Sequence, residues 1–214
     1  MADNDNEKPF QILSLAGGGY LGLYTAGVLA ELEEQVGEPL GRRFDLIAGT
    51  SVGGILAIAL AYEIPMAKIK QLFLENGTKI FSGRSLPTNP VSRLRDLTRS
   101  VLRPKHNGIA LNKALVTHLG RKTLGEAIHP IVVPAVNITN CTTKVFKTPH
   151  APGSRGDEGI RAASVAMATS AAPTYFPSIK IGSELYADGG MFAVAPDLIA
   201  MHEAENFMKV SPSR

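Results

Sequence analysis

Phe44-Asp45-Leu46-Ile47-Ala48-Gly49-Thr50-Ser51-Val52-Gly53-Gly54-Ile55-Leu56-Ala57-Ile58-Ala59-Leu60-Ala61 is the stretch that decides how this chain folds. Phe44–Ala48 has the length and composition of a short buried strand, and Gly54–Ala61 reads as a tightly packed helix. Between them stands Gly49-Thr50-Ser51-Val52-Gly53, a G-x-S-x-G pentad. A serine on a sharp strand-to-helix turn has its hydroxyl raised above the sheet, and small flanking residues let neighbouring backbone come close enough for the turn to form. The helix N-terminus adds backbone N–H groups and a positive dipole end beside the hydroxyl. The pentad in this strand–turn–helix context therefore suggests a nucleophilic serine for acyl transfer or ester hydrolysis; without that context it is more often a plain Gly/Ser-rich turn.

Outward from the pentad, strands alternate with helices. Gln11–Ala16 predicts a first strand, followed by Gly17-Gly18-Gly19 and a helix over 21–36. Pro65 opens a helix through Phe73, and Leu111, Leu115 and Leu119 share one face of another. Ile131–Asn137 and Lys144–Thr148 predict strands, 158–168 a helix, Leu185–Ala187 a last short strand and 196–208 a closing helix. Such alternation predicts an α/β fold with a mostly parallel sheet covered on both faces. With 214 residues the chain suits one domain, taken as 10–208, with an extended or disordered 1–9 and a tail at 209–214.

Charge is uneven although the net value is only +3. Between Lys79 and Lys122 ten basic residues face one acid, Asp96, so the remainder is net acidic. That segment reads as an insertion or cover, with a short helix at 91–102, and it suits an anionic head group or phosphate as well as it suits a solvated face. No interleaved aromatics or Cys/His fingers mark DNA or RNA binding. The single cysteine, Cys141, excludes an internal disulfide, offers no metal cluster and favours a reducing, intracellular setting. The polar start, Met1–Glu7, is unlike a secretory signal, and Ile47–Tyr62 is too short to span a bilayer.

Gly17-Gly18-Gly19-Tyr20-Leu21-Gly22 formally satisfies the dinucleotide-binding G-x-G-x-x-G. That reading needs an acid about 20 residues on, at the end of a second strand, and Glu38 instead occupies a Gly-Glu-Pro turn. The glycines serve better as a cluster of unencumbered N–H donors for the oxyanion of ester cleavage. A nucleophilic serine also needs a base. None of His106, His118, His129, His150 and His202 has the context of a triad histidine. Asp188 ends a strand and precedes Gly189-Gly190, so it is either a base projecting into a cleft or a plain Asp-Gly turn.

Together, Ala16–Gly22, Gly49–Gly53, Asp188-Gly189-Gly190 and the stretch Ala168-Thr169-Ser170-Ala171-Ala172-Pro173-Thr174-Tyr175-Phe176-Pro177 resemble, in order and spacing, the patatin-like phospholipases. The resemblance implies a three-layer α/β/α sandwich and a Ser–Asp dyad. Ser51 would be the nucleophile and Asp188 its base, with Gly17, Gly18 and Gly19 lining the oxyanion hole and Gly22, Gly49, Gly53, Gly189 and Gly190 supporting the motifs. It implies hydrolysis of membrane glycerophospholipid esters through an acyl-enzyme, with no cofactor and no metal.

The stretch Leu13–Ala26 further resembles bacterial anti-phage effectors of CBASS systems, which implies a cyclic dinucleotide activator and a cytoplasmic protein acting peripherally on the inner face of the cell membrane, with a homo-oligomer as a candidate assembly. The family pattern is broken at Ala16, where Asp is usual, at Leu21, where Arg or Lys is frequent, and before Pro196, where an Asn is often found. The chain also ends sooner after its last motif than many relatives do. Those departures leave open a catalytically weak patatin scaffold that binds ligand, and a general soluble esterase or thioesterase is a further alternative.

Overall fold

A computed structural model describes residues 8–81 and 108–211. Its elements in chain order are β1 (Ile12–Leu15), α1 (Gly22–Val36), β2 (Leu46–Gly49), α2 (Val52–Ala61), α3 (Met66–Phe81), α4 (Ile109–Leu119), β3 (Ile131–Asn137), β4 (Thr142–Lys147), α5 (Ala162–Thr169), β5 (Ile179–Ile181), β6 (Glu184–Asp188) and α6 (Asp197–Asn206). The helix expected at 91–102, and most of the basic segment around it, lies outside the described residues.

The strands form one sheet in the order β1-β2-β3-β6-β5, with β4 also paired to β3. Side-chain alternation divides the core in two. Ile47, Ile131, Val133 and Ala135 face the large cluster built with α1 to α5. Leu46, Ala48 and Val132 face the other way, against Ala200 and Ile199 of α6. The result is an α/β/α sandwich with unequal layers, five helices on one face and one on the other among the described residues. Every residue of α2 is buried. Its sequence is apolar all round, which suits a helix enclosed on all sides.

The sheet is mixed, a correction to the mostly parallel one expected. Only β1–β2 and β2–β3 are parallel; β3–β4, β3–β6 and β5–β6 are antiparallel. Connection length explains two of the three antiparallel pairings. Helical crossovers separate β1 from β2 and β2 from β3, whereas β3 and β4, and β5 and β6, are joined by short turns that permit only antiparallel pairing. Strand β5 was not expected at all, although Ile179-Lys180-Ile181 alternates and Gly182 takes φ +62° in the turn that follows. Helix α5 starts at Ala162 rather than 158 because the preceding residues are engaged elsewhere. Asp157 accepts from the Lys147 amide at 3.1 Å and the Lys144 ammonium at 2.7 Å, and Arg161 bridges to Thr123.

One detail of the pairing positions the site. Strand β4 occupies one edge of β3 from Val132 to Asn137. The other edge is shared: β2 pairs with Ile131 and Val132, and β6 pairs with Ala135, Val136 and Asn137 from the opposite direction. The carboxyl ends of β2 and β6 therefore meet head to head at Val133-Pro134.

Candidate active site

Ser51 follows β2 by two residues and is the N-cap of α2. It adopts φ 55° and ψ −125°, a left-sided conformation that costs a non-glycine residue about 1–3 kcal/mol and persists only where the surroundings enforce it. Enforcement comes from both sides. The Thr50 amide donates to the Leu15 carbonyl at 3.1 Å, and the Ile55 amide donates to that of Ser51 at 3.1 Å. Helix α2 can start so close to β1 only because Gly53 lacks a side chain, since a Cβ there would lie 2.1 Å from the Leu15 carbonyl oxygen. Gly49 likewise faces the Gly53 carbonyl, where a Cβ would stand 2.2 Å away. The neighbouring Thr50 hydroxyl is buried without a hydrogen-bond partner.

Asp188 is the last residue of β6 and is 6% exposed. The Ser51 hydroxyl donates to its Oδ2 at 2.8 Å, and the Gly190 amide donates to its Oδ1 at 2.6 Å. Burial pushes the Asp188 carboxyl above the ordinary aspartate value, with the Gly190 and Ser51 hydrogen bonds pulling it partly back. Gly189 packs against β3, where a Cβ would be 2.2 Å from the Pro134 carbonyl oxygen.

The glycine turn stands beside the serine. A Cβ on Gly17 would be 3.3 Å from that of Ser51, and Gly22 abuts Val52. The Gly17 amide donates to the Val194 carbonyl at 2.8 Å, so its N–H is already used. The amides of Gly18 and Gly19 have no acceptor among the described residues. The loop that lacks the family's asparagine is held instead by main chain: Gly17 to Val194, and Phe192 and Ala193 to Gly189 at 3.0 and 2.9 Å.

A cavity of about 350 Å³ opens over Ser51, with Gly19, Val52, Ile55, Leu111 and Phe176 among its walls. Its mainly apolar lining suits a hydrocarbon chain. A larger groove of about 650 Å³ runs between α3 and α4, past Lys68, Glu75 and Lys113, and does not reach Ser51. None of the four described histidines hydrogen-bonds Ser51 or Asp188. His129 meets Glu63 at 3.2 Å, His150 meets Glu203 at 3.1 Å, and His202 meets Asn206 at 3.0 Å. No cluster of His, Cys, Asp or Glu among the described residues could hold a metal ion.

Sequence reasoning missed Thr169, whose hydroxyl accepts from the Ser51 amide at 3.0 Å. It lies in the stretch that carries part of the family resemblance, but nothing in its spacing from Ser51 announces the contact.

A family profile described as patatin-like phospholipase matches residues 13–201, and the chain belongs to that family. Among curated proteins it is 44% identical to a "cGAMP-activated phospholipase" of Pseudomonas aeruginosa, over 93% of this chain and 58% of that one. A Vibrio cholerae protein of the same description is 38% identical, over 90% of this chain and 57% of that one. The chain thus spans little more than half the length of these relatives. Among solved structures, VipD from Legionella pneumophila superposes with a TM-score of 0.55 at 16% identity, over 86% of this chain and 46% of the other, which supports the fold.

Proposed function

We propose that this chain is the catalytic unit of a phospholipase that cleaves glycerophospholipid esters through Ser51 and Asp188 and is switched on by a cyclic dinucleotide. The observation that carries the reading is the 2.8 Å hydrogen bond from the Ser51 hydroxyl to Asp188, at the floor of an apolar cavity and in a protein of the patatin-like family. As Ser51 Oγ attacks the ester carbonyl carbon, its proton passes to Asp188. The tetrahedral oxyanion is met by amides still free to donate, those of Gly18 and Gly19, joined by Val52 at the first turn of α2. Such donors typically contribute a few kcal/mol each, about 3 or 4 where measured. Collapse expels the lysolipid alkoxide, which takes the proton from Asp188. Water then attacks the acyl-enzyme with Asp188 again accepting a proton, which returns to Ser51 as the fatty acid leaves. No cofactor enters this scheme.

Activation by a cyclic dinucleotide rests on the curated relatives described as cGAMP-activated, and the basic segment 79–122 offers charge of the right sign. Peripheral action on a membrane draws support from exposed apolar residues on the segments that follow the site's motifs. Leu21 and Tyr24 beyond the glycine turn, Phe192 and Val194 beyond Asp188, and Leu198 in α6 are all at least half exposed. Residues 189–196 carry no charge, and neither do 16–28. Exposed apolar surface of that kind suits the boundary of a bilayer. No helix among the described residues is long and apolar enough to cross one.

The test is fatty-acid release from phospholipid vesicles by the wild type and Ser51→Ala, with and without a panel of cyclic dinucleotides. Release by the wild type alone, dependent on one nucleotide, is the expected result. Release without nucleotide removes the switch, faster cleavage of short soluble esters favours a general esterase, and no release with tight nucleotide binding favours a ligand-binding scaffold.

A further inference from the structure

Thr169, the last residue of α5, is completely buried. Its single hydroxyl makes two hydrogen bonds. It donates to the Pro134 carbonyl of β3 at 2.6 Å and accepts from the Ser51 amide at 3.0 Å. It also lies 3.3 Å from where a Cβ on Gly189, the residue after Asp188, would be. Pro134 is the point on β3 where β2 has stopped pairing and β6 has not yet begun, so its carbonyl is left over by both ladders. One oxygen atom therefore joins the nucleophile's backbone, the gap in the sheet and the floor of the aspartate loop.

We infer that Thr169 is a positioning residue for the dyad: its hydroxyl holds the Ser51 backbone in its strained conformation and so keeps the Ser51 side chain within reach of Asp188. The argument builds on the hydrolase reading above. A residue at φ 55° relaxes unless something holds it; the Thr50 amide is held by Leu15 of β1, and the hydrogen bond to Thr169 is the restraint from outside the elbow that acts on the Ser51 amide itself. A corollary concerns the oxyanion. With its N–H committed to Thr169, Ser51 has no amide to offer it, and the donors must come from Gly18, Gly19 and the start of α2.

Three substitutions separate the hydroxyl from the shape of the side chain. Thr169→Val keeps the shape and removes both hydrogen bonds. Thr169→Ser keeps the oxygen and drops the methyl, which stands 2.7 Å from where a Cβ on Gly54 would be. Thr169→Cys lacks the methyl as serine does and replaces the oxygen with a larger, poorly hydrogen-bonding sulfur, which gives a second hydroxyl-free variant if the valine one does not fold. Measured on a soluble ester, Thr169→Val and Thr169→Cys should lower kcat at least tenfold with KM within twofold of wild type, while Thr169→Ser stays within threefold in both. Valine or cysteine variants with wild-type kcat, or a serine variant as impaired as they are, would overturn the assignment. Amide hydrogen exchange at Ser51, followed by NMR, gives a readout that needs no turnover. Exchange at least tenfold faster in Thr169→Val, and near wild type in Thr169→Ser, is expected; unchanged exchange in both sinks the proposal. A wild type that cleaves no ester would defeat the hydrolase reading, and the exchange rates would still decide this one.

Discussion

The amide of Gly17 donates to the carbonyl of Val194 at 2.8 Å, tying the turn that follows β1 to the loop that follows Asp188. Two of the three motifs around Ser51 are thus joined through main chain, and the third, the serine elbow, is joined to Asp188 through side chains. The loop keeps its place without the asparagine often found before the proline because the bond uses no side chain. The same bond divides the glycine turn, leaving Gly18 and Gly19 free to donate.

Strain at Ser51 separates activity from stability. Ser51→Ala and Ser51→Gly should both abolish turnover, but only glycine accepts φ 55° without penalty. The glycine variant should therefore be the more stable of the two, by about 1 kcal/mol, when urea midpoints are compared. Equal midpoints would mean that the elbow is not strained.

Asp188 should set both the acid limb of the rate profile and a pH-dependent stability cost. Its carboxyl is held above the ordinary aspartate value by burial, so folding favours the protonated form. The stabilisation from that proton is complete below the unfolded pKa and disappears as pH rises through the folded one. Asp188→Asn should accordingly lose at least a hundredfold in kcat yet melt higher than wild type at pH 7–8. The advantage should shrink on acidification toward the usual aspartate range. A variant less stable than wild type at pH 8 would contradict the sign.

Glu203 on α6 has the opposite sign. Burial alone would raise its carboxyl, but hydrogen bonds from His150, Lys147 and Ser154 hold it at about 2. The Ser154 hydroxyl reaches it at 2.5 Å, and Lys147 forms an ion pair with it. Its contribution is present above the ordinary glutamate value and is lost as pH falls from there toward 2. Glu203→Gln should destabilise by about 2–3 kcal/mol at neutral pH, as expected when one partner of a buried charged network is removed. The deficit should narrow in thermal melts below pH 4.

The exposed apolar residues can be tested away from the dyad. Tyr24 is 77% exposed and Leu198 79% exposed. Tyr24→Asp combined with Leu198→Asp should weaken sedimentation with anionic phospholipid vesicles at least fivefold, while hydrolysis of a soluble short-chain ester stays within twofold of wild type. Unaltered sedimentation would place the membrane contact elsewhere.

The elbow was legible in the sequence because its information is local. Gly49, Ser51 and Gly53 stand between a strand and a helix, and each glycine proves to face backbone at a distance no Cβ permits. Asp188 was legible only as a strand end before two glycines. What brings it to Ser51, 137 residues away, is the sharing of one β3 edge by two strands, a long-range relation without a local signature. The same limit hid Thr169, which acts through a single oxygen. Strand β5 was missed for a smaller reason, since three residues in a hairpin give too little alternation to stand out.

The meeting of β2 and β6 on β3 also bears on how such a site can be controlled. Nucleophile and base are both referenced to a strand whose residues from Ile131 to Ala135 are completely or almost completely buried, so their separation is set within the buried core. Drawing them apart would mean breaking the sheet. A ligand switch of the kind proposed would then act on traffic into the cavity rather than on the chemistry beneath it, and would leave the reactive pair assembled in the resting form.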